Sequence, residues 1–413
     1  MTLQPLLARQ PIVDRQLKVA AYELLFRGAR SPTEAMVTDD SAATATVIAN
    51  VFTQLGVERV LGPFPGYLNF GVELLHSDLP EVLPADRVVL EILETVPATP
   101  ESVARVAALR AAGFRIALDD VLEIDERALA FLPHVQVVKL DLLLMKPEHL
   151  RRTVETLAQW PVEILAEKVD SQAQADECMA LGVHLFQGYF FAKPMLVSGR
   201  KSDPSKLALL KLMSMLAQDA HTTALEDELK RQPNLTYNLL RIINSVASGL
   251  SRRVDSVRQA VVVLGRRELA RWVQLLLYAS KSASEDLSVN PLLRLAAGRG
   301  RLMETLVRQA FPRDKEQAER AFMTGVLSLL DALLGVPLQD VLGDLPLHED
   351  VRRALMSREG PLGTLLNVAV ALEHADEDEI EASLSAQGSF TPADLDSAAQ
   401  DTFTWVNGIG TAA

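Results

Sequence analysis

Between residues 10 and 194, short apolar runs alternate with stretches of helical periodicity. The runs are AAYELLF (20–26), YLNFGV (67–72), RVVLEIL (87–93), FRIALDD (114–120), VQVVKLD (135–141), VEILAEKV (162–169) and HLFQGYFFA (184–192). Each is short and rich in Val, Ile, Leu or Phe, as strands buried on both faces are. Between them stand segments such as PESVARVAALRAAG (100–113), closed by a helix-stopping glycine. Strands alternating with helices build a parallel sheet, and this many units predicts a (β/α) TIM-like barrel.

The pattern changes after KPMLVSGRKSDPSK (193–206), which reads as a linker. Strand-like runs fade and helical faces replace them. Leu235, Leu239, Ile242 and Val246 share one face; Val257, Val261 and Leu264 share another, behind a Ser256–Gln259 pair at capping-box spacing. Leu269, Trp272, Val273, Leu276 and Leu277 form a third. The expected organisation is α/β plus all-α: a barrel over 1–195, a linker over 196–205, a helical domain over 206–385 and a C-terminal segment over 386–413. GSFTP (388–392) and GIGTAA (408–413) mark that segment as turns and a frayed end.

Composition narrows the function classes. The 413 residues suit two or three domains, and the hydrophobic and charged shares, 48 % and 23 %, are those of a globular chain. A net charge of −13 repels a phosphate backbone over most of the surface and argues against broad nucleic-acid binding. The single cysteine, Cys178, forms no internal disulfide and reads as a small buried hydrophobe. No signal peptide is read at the start, and no uncharged apolar run nears the ~20 residues of a membrane helix. The expected location is cytoplasmic.

The polar residues inside the apolar runs carry the chemistry. Glu23, Asn69, Glu91, Asp119 and Asp120, Lys139 and Asp141, Glu167 and Gln187 fall mostly in the middle or C-terminal half of a run. From Glu23 to Gln187 the spacings are 46, 22, 28, 20, 28 and 20 residues, each after the first long enough for one strand–helix unit. In a (β/α) barrel the C-terminal strand ends meet at one mouth. Two readings stand. Either these are separate strand-end charges in ordinary ion pairs, or they converge on a hard cation, Mg²⁺ or Mn²⁺, able to polarise a phosphodiester and activate water.

The first ~195 residues resemble the EAL domain, a family that hydrolyses or binds the bacterial messenger cyclic di-GMP. QPIVD (10–14) and YELLFRG (22–28) resemble its first strand and name motif. NFG (69–71), LEILE (90–94), LDD (118–120), VKLD (138–141), AEKVD (166–170) and FQGYFFAKP (186–194) follow in the family's order. The resemblance implies Glu23, Asn69, Glu91 and Asp119 as metal ligands, with Asp120 helping a second ion. It implies Glu167 as the general base, Lys139 as the residue that positions the water, and Arg27 and Gln187 as contacts to the dinucleotide. The reaction it implies opens cyclic di-GMP to linear pGpG. The family often pairs its barrels, so a homodimer is an arrangement the resemblance admits.

Three departures bear on activity. The name motif reads ELL, with Leu24 in place of Ala. The usual Phe-Gly-Thr-Gly after the paired aspartates is Val121, Leu122, Glu123 and Ile124, without the glycines' backbone freedom. AEGVE becomes AEKVD, which sets Lys168 beside Glu167. The expectation is therefore a barrel that binds the messenger and hydrolyses it weakly or not at all. The helical half, through RQPNLTYNLLRIINS (231–245), SVRQAVVVLGRRELARWVQ (256–274) and MTGVLSLLDALLGVPL (323–338), resembles the HDOD module. Metal-dependent relatives of that module need a His-Asp pair, and no such dipeptide occurs in this chain. This half is read as an output domain for a protein partner. A scaffold that binds no messenger is the alternative. Asn244 and Ser245 read as helix caps, Arg252, Arg253, Arg266 and Arg267 as a solvated face, and Trp272 as core, while Asp331 interrupts the apolar run 325–335.

Overall fold

A computed structural model of the chain describes residues 6–27, 48, 56–188, 190, 204–230, 233–245, 254, 256–278, 287–334, 337–343, 345, 347–374, 376–387 and 390–409. The chain divides into two units, Met1–Phe191 and Ala192–Ala413.

The first unit is a closed eight-stranded barrel in chain order: β1 (Leu6–Asp14), β2 (Val19–Arg27), β3 (Gly66–Phe70), β4 (Val88–Ile92), β5 (Arg115–Leu118), β6 (Val137–Asp141), β7 (Glu163–Glu167) and β8 (Leu185–Gln187). Helices α1 (Val57–Leu61), α2 (Val72–His76), α3 (Pro100–Ala111), α4 (Glu126–Phe131), α5 (Pro147–Leu157) and α6 (Gln172–Leu181) lie between the strands. Several are stopped and started by local chemistry. Thr99 caps α3 by accepting from Ser102 N, Asp125 caps α4 by accepting from Ala128 N, and Ser171 and Gln174 form a capping box on α6.

The barrel corrects one sequence expectation. The sheet is not wholly parallel: β1 runs antiparallel to both β2 and β8. The reason is the turn after β1. Asp14 Oδ1 accepts from Gln16 N and Lys18 N, both at 2.9 Å, and Leu17 takes φ 57°. A turn this tight can join only antiparallel neighbours, because a parallel pair needs a crossover of about a dozen residues. The hydrophobic pattern alone does not show β1, since Arg9, Gln10 and Pro11 interrupt its apolar positions; the motif resemblance does.

Each strand supplies one residue to a buried apolar ring: Ile12, Ala21, Tyr67, Val89, Ala117, Val137, Leu165 and Leu185. Strand side chains alternate faces, so positions two apart point the same way. On β2 to β8 and just past β5, two residues beyond the ring stand Glu23, Asn69, Glu91, Asp119, Lys139, Glu167 and Gln187. On β1, which runs the other way, the matching position lies two residues before Ile12 and is Gln10. One step of the pleat thus turns an apolar floor into a polar layer.

The second unit is helical: α7 (Pro204–Ala217), α8 (Thr222–Lys230), α9 (Pro233–Ile243), α10 (Val257–Leu276), α11 (Pro291–Ala310), α12 (Lys315–Leu327), α13 (Leu330–Leu334), α14 (Leu338–Leu342), α15 (Glu349–Ser357), α16 (Gly360–His374), α17 (Glu377–Gln387) and α18 (Pro392–Asn407). α10 bends at Gly265, which takes φ 79°. Before the bend Val262 and Val263 are exposed; after it Leu269, Trp272, Val273, Leu276 and Leu277 are all buried. Val246, Arg252 and Arg253 lie outside the described residues. Asn244 does tie the end of α9, donating to Leu240 O and Val254 O and accepting from Val254 N, each at 2.8 Å. Ser245 donates to Ile242 O. Arg266 donates to Ala220 O, and Arg267 pairs with Glu319 at 3.3 Å. Asp331 stands in the first turn of α13, where a negative charge is favourable.

The C-terminal segment, expected to contain turns and a frayed end, holds the helix α18 over 392–407. Thr391 and Asp394 close a capping box, Pro392 opens the helix, and Leu395, Ala398, Ala399, Phe403 and Val406 are buried along one face. Trp405 stacks on Trp272 with ring centroids 5.9 Å apart. The flanking turn signals mark the ends of this helix rather than its absence. No helix among the described residues is long and apolar enough to cross a membrane.

Candidate functional site

The polar layer closes around one ammonium group. Lys139, on β6, places Nζ 2.7 Å from Glu91 Oε1, 2.9 Å from Asp119 Oδ1, 2.5 Å from Glu167 Oε1 and 3.7 Å from Glu23 Oε2. All five side chains are buried. Asn69 Nδ2 donates to Glu23 Oε1 at 3.2 Å, and Gln187 Nε2 donates to Glu23 Oε2 at 2.6 Å and to Gln10 Oε1 at 2.8 Å. The strands that carry these groups are neighbours in the barrel, with Asn69 paired to Glu91 and Gln10 to Glu23.

Four carboxylates face one ammonium, a formal excess of three negative charges in a buried space. Burial holds the Glu91 carboxyl well above the usual carboxylate range; Lys139 opposes this, while Glu23, Asp119 and Glu167 add to it. Burial likewise pushes Glu167 up to about 7, against Lys139 and with help from Glu23 and Asp119. Burial alone would lower Lys139, but Glu23, Glu91, Glu167 and Asp119 outweigh it and hold the ammonium charged. Burial and then Asp119 raise Asp120, against Lys168.

These shifts give a prediction with a definite sign. Glu91 and Glu167 bind protons more tightly in the folded chain than in the unfolded one. Their contribution to stability is complete below the ordinary carboxylate range and is lost as pH rises, for Glu167 through about 7. In EDTA, the melting temperature should therefore fall between pH 5.5 and 8, and millimolar Mn²⁺ should restore more of it at pH 8 than at pH 5.5. A slope unchanged in Glu91→Gln and Glu167→Gln would refute the assignment.

The donor set is oxygen throughout, the chemistry of a hard divalent cation. Asn69 Oδ1, Glu91 Oε2 and Asp120 Oδ1 are buried with no hydrogen-bond partner among the described residues. Ligand oxygens of Glu94, Asp119 and Asp120 lie within 4.8 Å of one another. The residues present thus fit such an ion: acceptors converge, and too few donors meet them.

Of the residues singled out by sequence, the structure gathers Glu23, Asn69, Glu91, Asp119, Lys139, Glu167 and Gln187 into one layer. Asp120 follows directly, at φ 46°. Arg27 ends β2, and its side chain lies outside the described residues. The segment after Asp120 is anchored: Val121 is buried and its N–H donates to Lys139 O at 3.0 Å. Sequence reasoning passed over Gln10 and Glu94. Gln10 was findable only by knowing that β1 runs backwards. Glu94 stands three residues beyond Glu91 in LEILE, past the end of β4, where strand alternation no longer applies.

Gly188 holds the end of β8. It takes φ 144°, and a Cβ there would lie 2.2 Å from Val169 O and 2.5 Å from Val169 N. Those are backbone atoms in the hydrogen bonds Val169 N to Gln187 O and Phe190 N to Val169 O. Gly188→Ala should therefore cost at least about 2 kcal/mol in urea denaturation. A midpoint equal to wild type would contradict the close approach.

Residues 6–194 match the EAL domain family, and residues 205–336 match the HDOD domain family. The uncharacterized protein YuxH of Bacillus subtilis is 30 % identical over 371 residues, covering 89 % of this chain and 90 % of the relative. The cyclic di-GMP phosphodiesterase CdgJ of Vibrio cholerae is 33 % identical over 379 residues, covering 91 % of this chain and 86 % of the relative. Among solved structures, an EAL domain protein from Listeria monocytogenes is 21 % identical, with a TM-score of 0.37 over 46 % of this chain and 87 % of that one.

Proposed function

The chain belongs to the family of proteins that join an EAL domain to an HDOD domain, and from that premise we propose that its barrel binds cyclic di-GMP at the acidic layer and hydrolyses it slowly to pGpG. The observation that carries this reading is the buried layer of four carboxylates around Lys139, with unpartnered oxygens on Glu91, Asn69 and Asp120. A relative similar over nine-tenths of this chain is a cyclic di-GMP phosphodiesterase by name.

Glu23, Asn69, Glu91 and Asp119 would hold the ion, Mg²⁺ or Mn²⁺, with Asp120 at its flank. When bound, the ion supplies Lewis-acid polarisation of the phosphodiester. Glu167 is the general base. Its carboxyl sits near neutrality because it is buried among like charges, which suits a group that must take a proton from the attacking water near pH 7. Lys139 orients that water and offsets charge growing on the phosphate. Gln187 and Asn69 fix the rotamer of Glu23 by donating to its two oxygens. Water gives a proton to Glu167 as it attacks phosphorus, the bond to the 3′ oxygen breaks, and that oxygen takes a proton from solvent as it leaves.

Slow turnover is proposed because the segment Val121–Ile124 has no glycine and Val121 is pinned to Lys139. A displacement of about 1 Å at a reacting group can cost ~10²-fold. The helical unit is proposed as a non-catalytic output module for a protein partner.

The test is to incubate the purified chain with cyclic di-GMP and Mn²⁺ and to measure pGpG, alongside calorimetric binding with Ca²⁺. Turnover supports the enzyme. Binding without turnover replaces it with a receptor, and no binding leaves a scaffold.

A further inference from the structure

The helical unit holds a cavity of about 220 Å³, lined by residues of that unit alone. Past the bend at Gly265, α10 turns one face to it: Arg267, Ala270, Arg271 and Gln274, spaced three or four apart as neighbours on a helix surface are. Much of the remaining wall is apolar. Met213 and Leu216 come from α7 and Phe322 and Met323 from α12, with Leu345 beside them. The charges of the lining cancel, since Arg266, Arg267 and Arg271 are matched by Asp219, Glu268 and Glu319. The guanidiniums are also engaged: Arg266 donates to Ala220 O, Arg267 pairs with Glu319, and Arg271 pairs with Glu268 at 3.3 Å and with Glu304. Such a wall selects neither an anion nor a cation. The polar group left over is Gln274. It is 4 % exposed, its Oε1 is buried with no hydrogen-bond partner among the described residues, and its Nε2 makes no hydrogen bond among them either. Leaving a buried amide unmet is costly, and a ligand that pairs with it recovers that cost.

We propose that this cavity is a binding site for a small uncharged heterocycle, one or two flat rings held by paired hydrogen bonds between Gln274 and a lactam-type edge. Size sets the upper limit. A cavity of about 150 Å³ takes benzene, so one of about 220 Å³ takes two fused rings at most. The apolar wall supplies contact area, and the flexible Met213 and Met323 side chains can settle against a ring. The carboxamide sets the polar complement. It offers one acceptor and two donors. A ring bearing N–H next to C=O presents the matching pair, whereas a hydrocarbon leaves the amide unmet. Arg271, fixed by Glu304 and by the Phe322 ring, ties the α10 face to α12 and so keeps the cavity walls in place. The site is independent of the chemistry of the barrel: it gives the helical unit a small-molecule ligand of its own.

The test uses the full chain and two probes: carbostyril, a bicyclic lactam, and N-methylcarbostyril, which fills nearly the same space and lacks the N–H. Titration calorimetry should show wild type binding carbostyril with a Kd of about 1 mM or tighter, a modest affinity for a ligand of this size. The N-methyl probe should bind at least about ten-fold more weakly, the effect of one buried hydrogen bond left unmade. Gln274→Leu, which keeps the bulk and removes the amide, should bind the two probes equally. Ala270→Phe, which fills the cavity from α10, should bind neither. Thermal melts establish that both variants fold, and the contrast between the probes in wild type needs neither of them. A wild type that binds neither probe, or both equally, would overturn the proposal. So would a folded Gln274→Leu chain that still prefers carbostyril, or a folded Ala270→Phe chain that binds it as wild type does.

Discussion

Glu167→Gln should lower the rate of pGpG release from cyclic di-GMP by about 10²- to 10⁴-fold, the range of a lost general base. The substitution keeps the volume of a buried side chain and removes the acceptor for the water's proton. Binding should survive: with Ca²⁺ in place of the active metal, the affinity of the variant for cyclic di-GMP should stay within a few-fold of wild type. Removing one of four mutually repelling carboxylates should also stabilise the metal-free chain at pH 8, where Glu167 is otherwise forced to ionise beside Glu23 and Asp119. A variant that melts lower at pH 8 and binds no messenger would show that Glu167 holds the structure together. A variant with unaltered turnover would remove it from the mechanism.

The second large effect lies in the helical unit. Glu304, on α11, is fully buried and forms ion pairs with three arginines: Arg271, Arg301 at 3.3 Å and Arg308 at 2.7 Å. Arg271 is itself buried, with its guanidinium 4.2 Å from the centroid of the Phe322 ring. Glu304→Gln keeps the shape and strips the charge, leaving Arg271 buried without its main counter-ion. Breaking one side of a buried pair costs about 3–5 kcal/mol; the exposed Arg308 adds little. Urea unfolding followed by tryptophan fluorescence reads this unit well, since Trp272 and Trp405 are two of the chain's three tryptophans. A midpoint unchanged from wild type would show that water already solvates the arginine cluster.

Much of the barrel was legible because strand burial writes itself as short runs of Val, Ile and Leu, and because the polar exceptions recur once per run. Strand β1, marked by the motif resemblance and not by the hydrophobic pattern, shows the limit of that signal. LLARQPIVD carries Arg9, Gln10 and Pro11 in its middle, and these are tolerated because β1 alternates between the barrel interior and side chains that reach outward, as Arg9 does over the Tyr22 ring. The missed helix α18 shows another. Its buried face is half alanine and threonine, too weak in hydrophobic contrast to stand out between two turn signals, and only packing against α11 and the Trp272 and Phe322 rings makes it part of the core. The loss of loop glycines was visible in the sequence, but its physical form was not: the left-handed conformations fall on Asp120 and Lys168 instead.

By itself the sequence determined which groups were available: seven polar residues spaced one strand–helix unit apart, each two positions beyond an apolar residue of the same strand. Period-two geometry then forces those seven to share a face. Tertiary structure alone decided the rest. Reversal of β1 brings Gln10 into the layer, closure of the barrel brings Glu23 to Lys139 across 116 positions, and the backbone twist at Lys168 carries its ammonium to Asp141. The division has a physical cause. Alternation along a strand is a local property of bond geometry, whereas the Coulomb energy of the site depends on distances between strands, which exist only once the barrel has closed.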